Sequence, residues 1–197
     1  MLTGARCAEE AKGESRIPHR SSARVGRCAA ARRTVRRAFR TRARTDARGH
    51  WTGTLGYRDY QSNTLFRLKV NTEIRAIGDG VTLVRVSEFD EGPGRTPAFI
   101  TSASLYDPAA STVTTAGLRK GRAVEAATEA LQVAAYTDAT HWTVIAETDG
   151  EDDNKPARLR VTEVRDGDKL TATKEVMPVG AAVWAFRNVT ELVRVGD

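Results

Sequence analysis

The sequence predicts an all-β protein: a single antiparallel up-and-down β-barrel of about 8–10 strands, preceded by a disordered arginine-rich tail. Three observations lead to this prediction. Apolar and polar residues alternate strictly along one segment, turn-forming residues recur at short intervals, and the composition changes sharply near residue 50. The alternation indicates strands, the spacing of the turns indicates many of them, and the change in composition marks where the folded domain begins.

The clearest strand lies between Leu65 and Ile77. One parity is almost entirely apolar and consists of Phe66, Leu68, Val70, Thr72, Ile74 and Ala76. The other parity is mostly charged or polar. Side chains alternate between the two faces of a strand, so this pattern gives a sheet with one buried and one solvated face, as antiparallel sheets commonly have.

The rest of the folded part divides into similar segments. We expect further strands at 51–60, 81–90, 97–107, 112–118, 141–148, 157–165, 169–176 and 182–195. Glycine- and proline-containing turns separate them, such as GDG at 78–80, EGPG at 91–94 and DGD at 166–168. Closing such strands into a barrel removes exposed sheet edges. A two-sheet sandwich is the nearest alternative.

One segment, 122–136, has an ambiguous pattern. Val124, Thr128, Leu131 and Ala135 have helical spacing, and the segment is rich in Ala and Glu. A short helix across a barrel mouth would fit. The alternative, which we prefer, is a loop to about Glu129 and then a strand over 130–137.

The tail, residues 1–49, is predicted to be a separate disordered segment, and residues 50–197 form the barrel domain. Residues 1–50 contain thirteen Arg and one Lys against four acidic residues, whereas the rest of the chain has a net charge of about −4. Large apolar residues are few in the tail, so it cannot bury enough surface to offset its ordering entropy. It is interpreted as dispensable sequence from a misassigned start, as a transit peptide, or as an arm that binds nucleic acid.

Several classes of protein are not expected. The sequence has no apolar run long enough to span a membrane and no secretory signal, which favours a cytoplasmic protein, or an organellar one if the tail is a transit peptide. Cys7, His19, Cys28 and His50 lack the close pairing of structural zinc sites. The acidic run 149–154 departs from a calcium loop, because Asn154 occupies the position of its glycine. We expect no metal and no cofactor.

No catalytic motif is present, and His141 is the single histidine inside the folded strands. We therefore expect a non-enzymatic protein that binds a small, mostly apolar, and in one version anionic, ligand in the barrel lumen. The alternatives are a structural or interaction barrel with a filled core, and a small enzyme that uses His141. The residues predicted to line the ligand pocket are Trp51, Tyr57, Phe66, Leu68, Val70, Phe89, Trp142, Val144, Leu159, Trp184 and Arg187. No oligomeric state is predicted.

Four stretches carry a resemblance to a known fold family. They are HWTGTLGYRDYQSN at 50–63, ETDGEDDNKPARLRVTEV at 147–164, TKEV at 173–176 and WAFRNV at 184–189. They resemble uncharacterised bacterial proteins with lipocalin-like, calycin-type β-barrels, and the likeness covers residues 50–197. Lipocalins open with G-x-W, whereas Trp51 here precedes Gly53. Related haem-binding barrels use a histidine near the C-terminus, which this chain lacks, so haem is not expected.

The resemblance also implies a partner for Arg187. Arg187 shares its parity with Val183, Ala185 and Val189, so it falls on a largely apolar face, where a cation needs a partner. Lipocalin-like barrels stack an arginine of the last strand on the tryptophan of the first strand, which would pair Arg187 with Trp51. An anionic ligand is the alternative partner. A third reading is a bulge that turns Arg187 outward and Trp184 and Phe186 inward.

Overall fold

The protein is described by a computed structural model that covers residues 46–59 and 61–196. It contains ten β-strands. They are β1 (Gly49–Arg58), β2 (Leu65–Ala76), β3 (Thr82–Phe89), β4 (Ala98–Asp107), β5 (Thr112–Arg119), β6 (Glu125–Asp138), β7 (His141–Asp152), β8 (Lys155–Asp166), β9 (Lys169–Pro178) and β10 (Ala185–Gly196).

The strands form one closed antiparallel barrel in which each strand pairs with its neighbours in sequence. The barrel closes where β1 pairs with β10, from His50 opposite Gly196 to Tyr57 opposite Asn188. Closure gives every strand two partners, so the backbone hydrogen-bonding groups of the sheet have no free edge. The predicted fold class is confirmed.

The predicted alternation in β2 is also found. Val70 and Ile74 are each 1% exposed, and Leu68 is partly buried. Phe66 is on the same inner face but is 46% exposed, because it lies at an open end of the barrel. The charged residues of the other parity lie on the outer wall, which is where an antiparallel barrel solvates its second face.

The ambiguous segment is a strand, and the helical interpretation is wrong. β6 begins at Glu125, about five residues earlier than the predicted strand, and pairs with β5 and β7. Its pairing with β7 shifts register after Val133 and again after Tyr136. Residues 125–129 precede both bulges. The sequence pattern did not identify them as a strand because their inward parity contains Glu125 and Glu129 and is therefore not apolar.

The buried core fills one end of the barrel, which we call the floor. Trp51, Ile74, Tyr106 and Leu170 are each about 1% exposed, and Trp142 is 4% exposed. All of them lie near the end of the barrel where β1 begins and β2 ends. Burial of such side chains contributes about 1.5–3 kcal/mol each, so the floor is the main source of stability.

Gly53 allows β1 and β10 to approach closely just above the floor. A Cβ atom at this position would lie 1.8 Å from the carbonyl oxygen of Glu191. No side chain fits at that distance. The glycine two residues after Trp51 is therefore required by the seam that closes the barrel.

Residues just before the predicted boundary at residue 50 contact the barrel. Ala47 is 3% exposed, and its carbonyl oxygen accepts a hydrogen bond from the Trp51 indole nitrogen at 3.1 Å. The Arg48 carbonyl accepts one from Arg194 at 2.6 Å. The tail lies outside the described residues, so its three interpretations stay predictions. The cysteines and His19 of the candidate zinc set also lie outside the described residues. Within those residues, no helix has the length and apolarity needed to cross a membrane.

Candidate ligand site

Above the floor the barrel encloses an inner cavity of about 190 Å³. Its apolar walls come from Val70, Phe89, Ile100, Leu170 and Leu192. Its polar lining consists of Thr72, Arg85, Ser87, Ser102 and Thr190. Thr72 and Ser87 hydrogen-bond to each other at 2.9 Å, so their hydroxyls are already partnered. The inner cavity is therefore mostly apolar, with one cation at its wall.

A second space, which we call the mouth, lies next to the inner cavity on the side of the open end. Its volume is about 310 Å³, and it shares Phe89 and Ile100 with the inner cavity. Leu55, Tyr57 and Leu68 line its apolar side, and Glu91 and Arg119 lie at its edge. Phe66 stacks on Tyr57 with the ring centroids 5.8 Å apart. Three of the six aromatic residues predicted to line a lumen, Tyr57, Phe66 and Phe89, are thus brought together at this end.

An ion pair crosses the lumen from one wall to the other. Arg85 of β3 donates a hydrogen bond through Nη2 to Oε2 of Glu163 on β8, at 3.1 Å. Their side chains are 31% and 21% exposed, because both face the water-accessible interior. Arg85 Nε and Nη1 have no hydrogen bond with any residue that the structure describes. These two nitrogens are therefore left for another acceptor.

A second pair of opposite charges faces the interior. Register places Glu129 of β6 and Lys174 of β9 on the inner parity of their strands. Burial raises the pKa of Glu129, and the positive charge of Lys174 opposes that shift. The lumen wall above the floor is thus lined by balanced charges as well as by apolar side chains.

The tryptophan of the first strand does stack on arginine, but the arginine is not Arg187. The guanidinium of Arg165, from β8, lies 4.3 Å from the ring centroid of Trp51, and that of Arg194, from β10, lies at 5.9 Å. The Arg165 side chain is 1% exposed. Burial and the neighbouring Arg194 lower its pKa. The expected pairing of Trp51 with Arg187 is wrong because β10 places Arg194, and not Arg187, at the level of Trp51.

Arg187 instead pairs with a carboxylate at the opposite end of the barrel. A bulge between Phe186 and Asn188 displaces it from the regular alternation. Its Nε donates to the two carboxylate oxygens of Asp152 at 3.1 and 2.8 Å, and Nη2 also donates to that carboxylate. The Asp152 side chain is only 8% exposed. Trp51 or an anionic ligand was expected from the sequence as the partner of Arg187. In the structure the partner is the carboxylate of Asp152.

Trp184 lies on the outer wall and not in the lumen, contrary to the prediction. Its ring stacks on Arg160, whose guanidinium is 4.0 Å from the ring centroid. Arg160 has the outward parity of β8 and pairs with Glu147 at 2.6 Å. The bulge explains the difference, because it uncouples residues 184–186 from the parity of the rest of β10. Phe186 is likewise outward, opposite Glu175.

The remaining predicted pocket residues divide between the floor and the wall. Trp142 and Val144 are buried in the floor, where the Trp142 indole nitrogen donates to the Ala139 carbonyl at 3.0 Å. Leu159 faces inward near the open end, because its register partners are Thr148 and Val176. Trp51, Trp142 and Val144 therefore support the site from below and do not line its cavities.

The sequence reasoning missed Arg85, Ile100 and Glu163. Arg85 shares its strand parity with Phe89, which was placed in the lumen, so its inward position was available from the pattern. It was missed because Val84 and Val86 make the other face of β3 equally apolar. Pairing with Glu163 on a distant strand carries no local signal.

His141 lies outside the barrel near the floor, half exposed. Its Nδ1 is 3.0 Å from an oxygen of Asp138, and its Nε2 is 3.7 Å from Asp166. Hydrogen bonds from His141 and Thr140 hold the pKa of Asp138 at about 2. Neither cavity reaches this cluster. Its arrangement is that of a turn-stabilising network between two hairpins.

The acidic run 149–154 is part of the β7–β8 hairpin. Asp153 and Asn154 form its two-residue turn, with φ angles of 52° and 57°. Two consecutive positive φ angles are typical of the type I′ turn that joins twisted antiparallel strands. Among the residues that the structure describes, no group of three or more His, Cys, Asp or Glu side chains is placed to hold a metal ion.

The fold and the cavity define a class: small antiparallel β-barrels with a packed floor and a lumen open at the other end. The crystal structure of Rv2717c from M. tuberculosis has a similar fold, with a TM-score of 0.51 and 16% sequence identity. The match covers 75% of this chain and 92% of that one. At this identity the likeness shows the fold alone. No protein-family model matches the chain, and a search of curated proteins finds no match.

Proposed function

We propose that the protein is a non-catalytic, lipocalin-like binding barrel that holds a small, mostly apolar ligand in its lumen. The observation that carries the proposal is the pair of adjacent spaces, the inner cavity and the mouth, which share Phe89 and Ile100. Together they amount to about 500 Å³, within the roughly 300–1,000 Å³ typical of small-molecule sites, and their walls combine apolar side chains with polar and charged ones. The packed floor closes one end, so a ligand enters and leaves through the mouth.

Arg85 supports a ligand that carries an anionic group or another strong acceptor. Its Nε and Nη1 lie at the wall of a partly apolar cavity, where a charge-assisted hydrogen bond is stronger than in water. Glu163 binds Nη2 and keeps the guanidinium from being an unpaired cation when the lumen is empty. The anionic version of the ligand therefore has its anchor in Arg85 and not, as the sequence suggested, in Arg187.

Binding is tested first by native mass spectrometry of the full chain purified from cells, looking for a co-purified small molecule. Calorimetric titration with decanoate and decanol, which share an apolar tail, follows. We expect measurable binding of at least decanoate. A chain that carries no small molecule, and gives no heat with either probe, would contradict the proposal.

Location of the site is tested by two tryptophan substitutions. Ile100→Trp should fill the passage between the inner cavity and the mouth and abolish binding, because Ile100 lines both. Val193→Trp is the matched control, since Val193 is on the outer wall and 48% exposed. Equal loss of binding in both variants, or in neither, would place the ligand elsewhere.

The role of Arg85 is separated from that of the ion pair by Arg85→Gln and Glu163→Gln, which break the same contact. We expect Arg85→Gln to weaken decanoate binding by about tenfold or more, the typical effect of losing a charge-assisted hydrogen bond. Glu163→Gln should retain or strengthen it, because a competing carboxylate is removed. Decanol binding should change less in both variants.

A further inference from the structure

Part of the outer wall carries no charged side chain. We call it the uncharged face: the outward residues within 82–86 of β3, 99–105 of β4, 114–118 of β5 and 126–128 of β6. Apolar side chains are prominent in it, since Phe99, Leu105 and Leu118 are 53%, 49% and 48% exposed. The remaining outward side chains there are Thr, Val and Ala.

The rest of the outer wall is different. β2 and β10 carry the ion pairs Arg67–Glu191 and Arg75–Glu73. β7 and β8 carry Glu147 with two arginines. A barrel that simply solvates its outside has such charges all round, so their absence from one contiguous face marks a surface suited to contact with another molecule.

The arrangement of this face matches that of protein interfaces. At its centre Ala103 of β4 pairs with Ala116 of β5, and these small side chains allow another sheet to come close. Charged residues surround it, among them Glu88, Asp107 and Glu147. Interfaces commonly have a charge-depleted centre and a polar rim.

We propose that two copies of this chain associate through the uncharged face. A charged partner would lose hydration there without gaining a counter-charge, and this argues against the arginine-rich residues 1–45 as the occupant. A second copy presents the same uncharged surface. Two-fold association of identical faces is the commonest form of oligomer, and twisted sheets pack well face to face.

The size of the face predicts a weak dimer. Strands about 4.8 Å apart, with segments of five, seven, five and three residues at about 3.4 Å each, give a footprint of roughly 330 Å². Two copies thus bury roughly 650 Å², which is below the ~1,000 Å² of specific stable interfaces and typical of weak, transient ones. We therefore expect reversible association that depends on concentration in the micromolar range.

The test is sedimentation velocity of the full chain over about 1–500 μM, with two matched Thr→Lys variants. Thr101 lies in the uncharged face on β4, and Thr171 lies outward on β9, opposite Glu191. Wild type and Thr171→Lys should both shift from monomer to dimer as concentration rises. Thr101→Lys should remain monomeric to at least tenfold higher concentration, because dimerisation would bury two unpaired cations.

Hydrogen exchange of the wild type at low and high concentration identifies the surface. We expect protection in β4 and β5 to increase with concentration in wild type and to stay constant in Thr101→Lys. A wild type that stays monomeric overturns the proposal, as does equal dimerisation of the two variants. Protection of β4 and β5 that is independent of concentration would mean that another part of the chain covers the face.

Discussion

Arg165 is a cation enclosed in the floor of the barrel, and its main contact is the face of Trp51. Its Nε, Nη1 and Nη2 are buried without a hydrogen-bond partner among the described residues, and the nearest carboxylate oxygen, of Asp168, is 3.9 Å from Nη2. The cation–π contact contributes about 2 kcal/mol when desolvated. Burying a guanidinium costs several kcal/mol. The contact and the burial penalty therefore leave little net stabilisation from this charge.

We accordingly expect Arg165→Met to leave the free energy of unfolding within about 1.5 kcal/mol of wild type, or to raise it, because Met fills similar space without a charge. Trp51→Ala should lower it by about 3–5 kcal/mol, since it leaves a cavity and an exposed cation in the floor. Denaturant unfolding of both variants measures the difference. A loss above about 3 kcal/mol in Arg165→Met would show that the charge itself stabilises the floor.

The same residues show what could be predicted at this scale. An arginine stacked on Trp51 was expected from the family resemblance, and the stacking exists. The choice of Arg187 was wrong because Arg194, and not Arg187, lies opposite Trp51 in the pairing of β10 with β1, and a bulge also displaces Arg187 from the regular alternation. A bulge depends on how two strands fit together, so the spacing within one strand does not reveal it.

β6 pairs with β5 over a short stretch only. It pairs with β5 only between Thr112–Ala130 and Gly117–Glu125, whereas β7 and β8 pair from His141–Asp166 to Asp152–Lys155. Residues 125–128 are exposed. Local unfolding occurs preferentially in segments that have little burial and solvent-accessible backbone hydrogen bonds. The start of β6, which lies at the same end as the mouth, fits that description.

We expect the backbone amides of residues 126–128 to exchange with solvent at least tenfold faster than those of residues 144–146 in β7. Native-state hydrogen exchange read by mass spectrometry or NMR measures both segments in one sample. Equally slow exchange in the two strands would show that β6 is as stable against local unfolding as β7.

β6 also shows why its type was ambiguous in the sequence. Ala and Glu favour helix, and the apolar residues recur at helical spacing. Pairing on both sides with β5 and β7 overrides that preference, because strand propensity depends on the neighbours that a residue meets. β2 was predictable for the opposite reason: its alternation, its composition and its final environment agree.

Across the whole molecule, stability and the candidate site are separated along the barrel axis. The floor contains most of the fully buried side chains, whereas the lumen above it contains cavities and paired charges. The approximate number of strands could be predicted from turn spacing, whereas closure could not, because the same spacing also fits a two-sheet sandwich. Which end is packed could not, because it depends on the tilt of each strand across the barrel, which brings residues distant in sequence to one level.

The exact start of the domain gives the final prediction, at the level of the whole chain. A chain that begins at Asp46 should melt like the full chain, since residues 1–45 have few apolar residues to bury. A chain that begins at Gly49 should melt about 3–10 °C lower. It loses the buried Ala47 and the carbonyl that accepts the Trp51 indole proton, and an unsatisfied buried donor costs about 1–3 kcal/mol. Scanning calorimetry of the three chains side by side measures both effects. Equal melting of the two shortened chains would show that Ala47 adds nothing to the floor, and a lower midpoint for the chain from Asp46 would show that the tail stabilises the barrel.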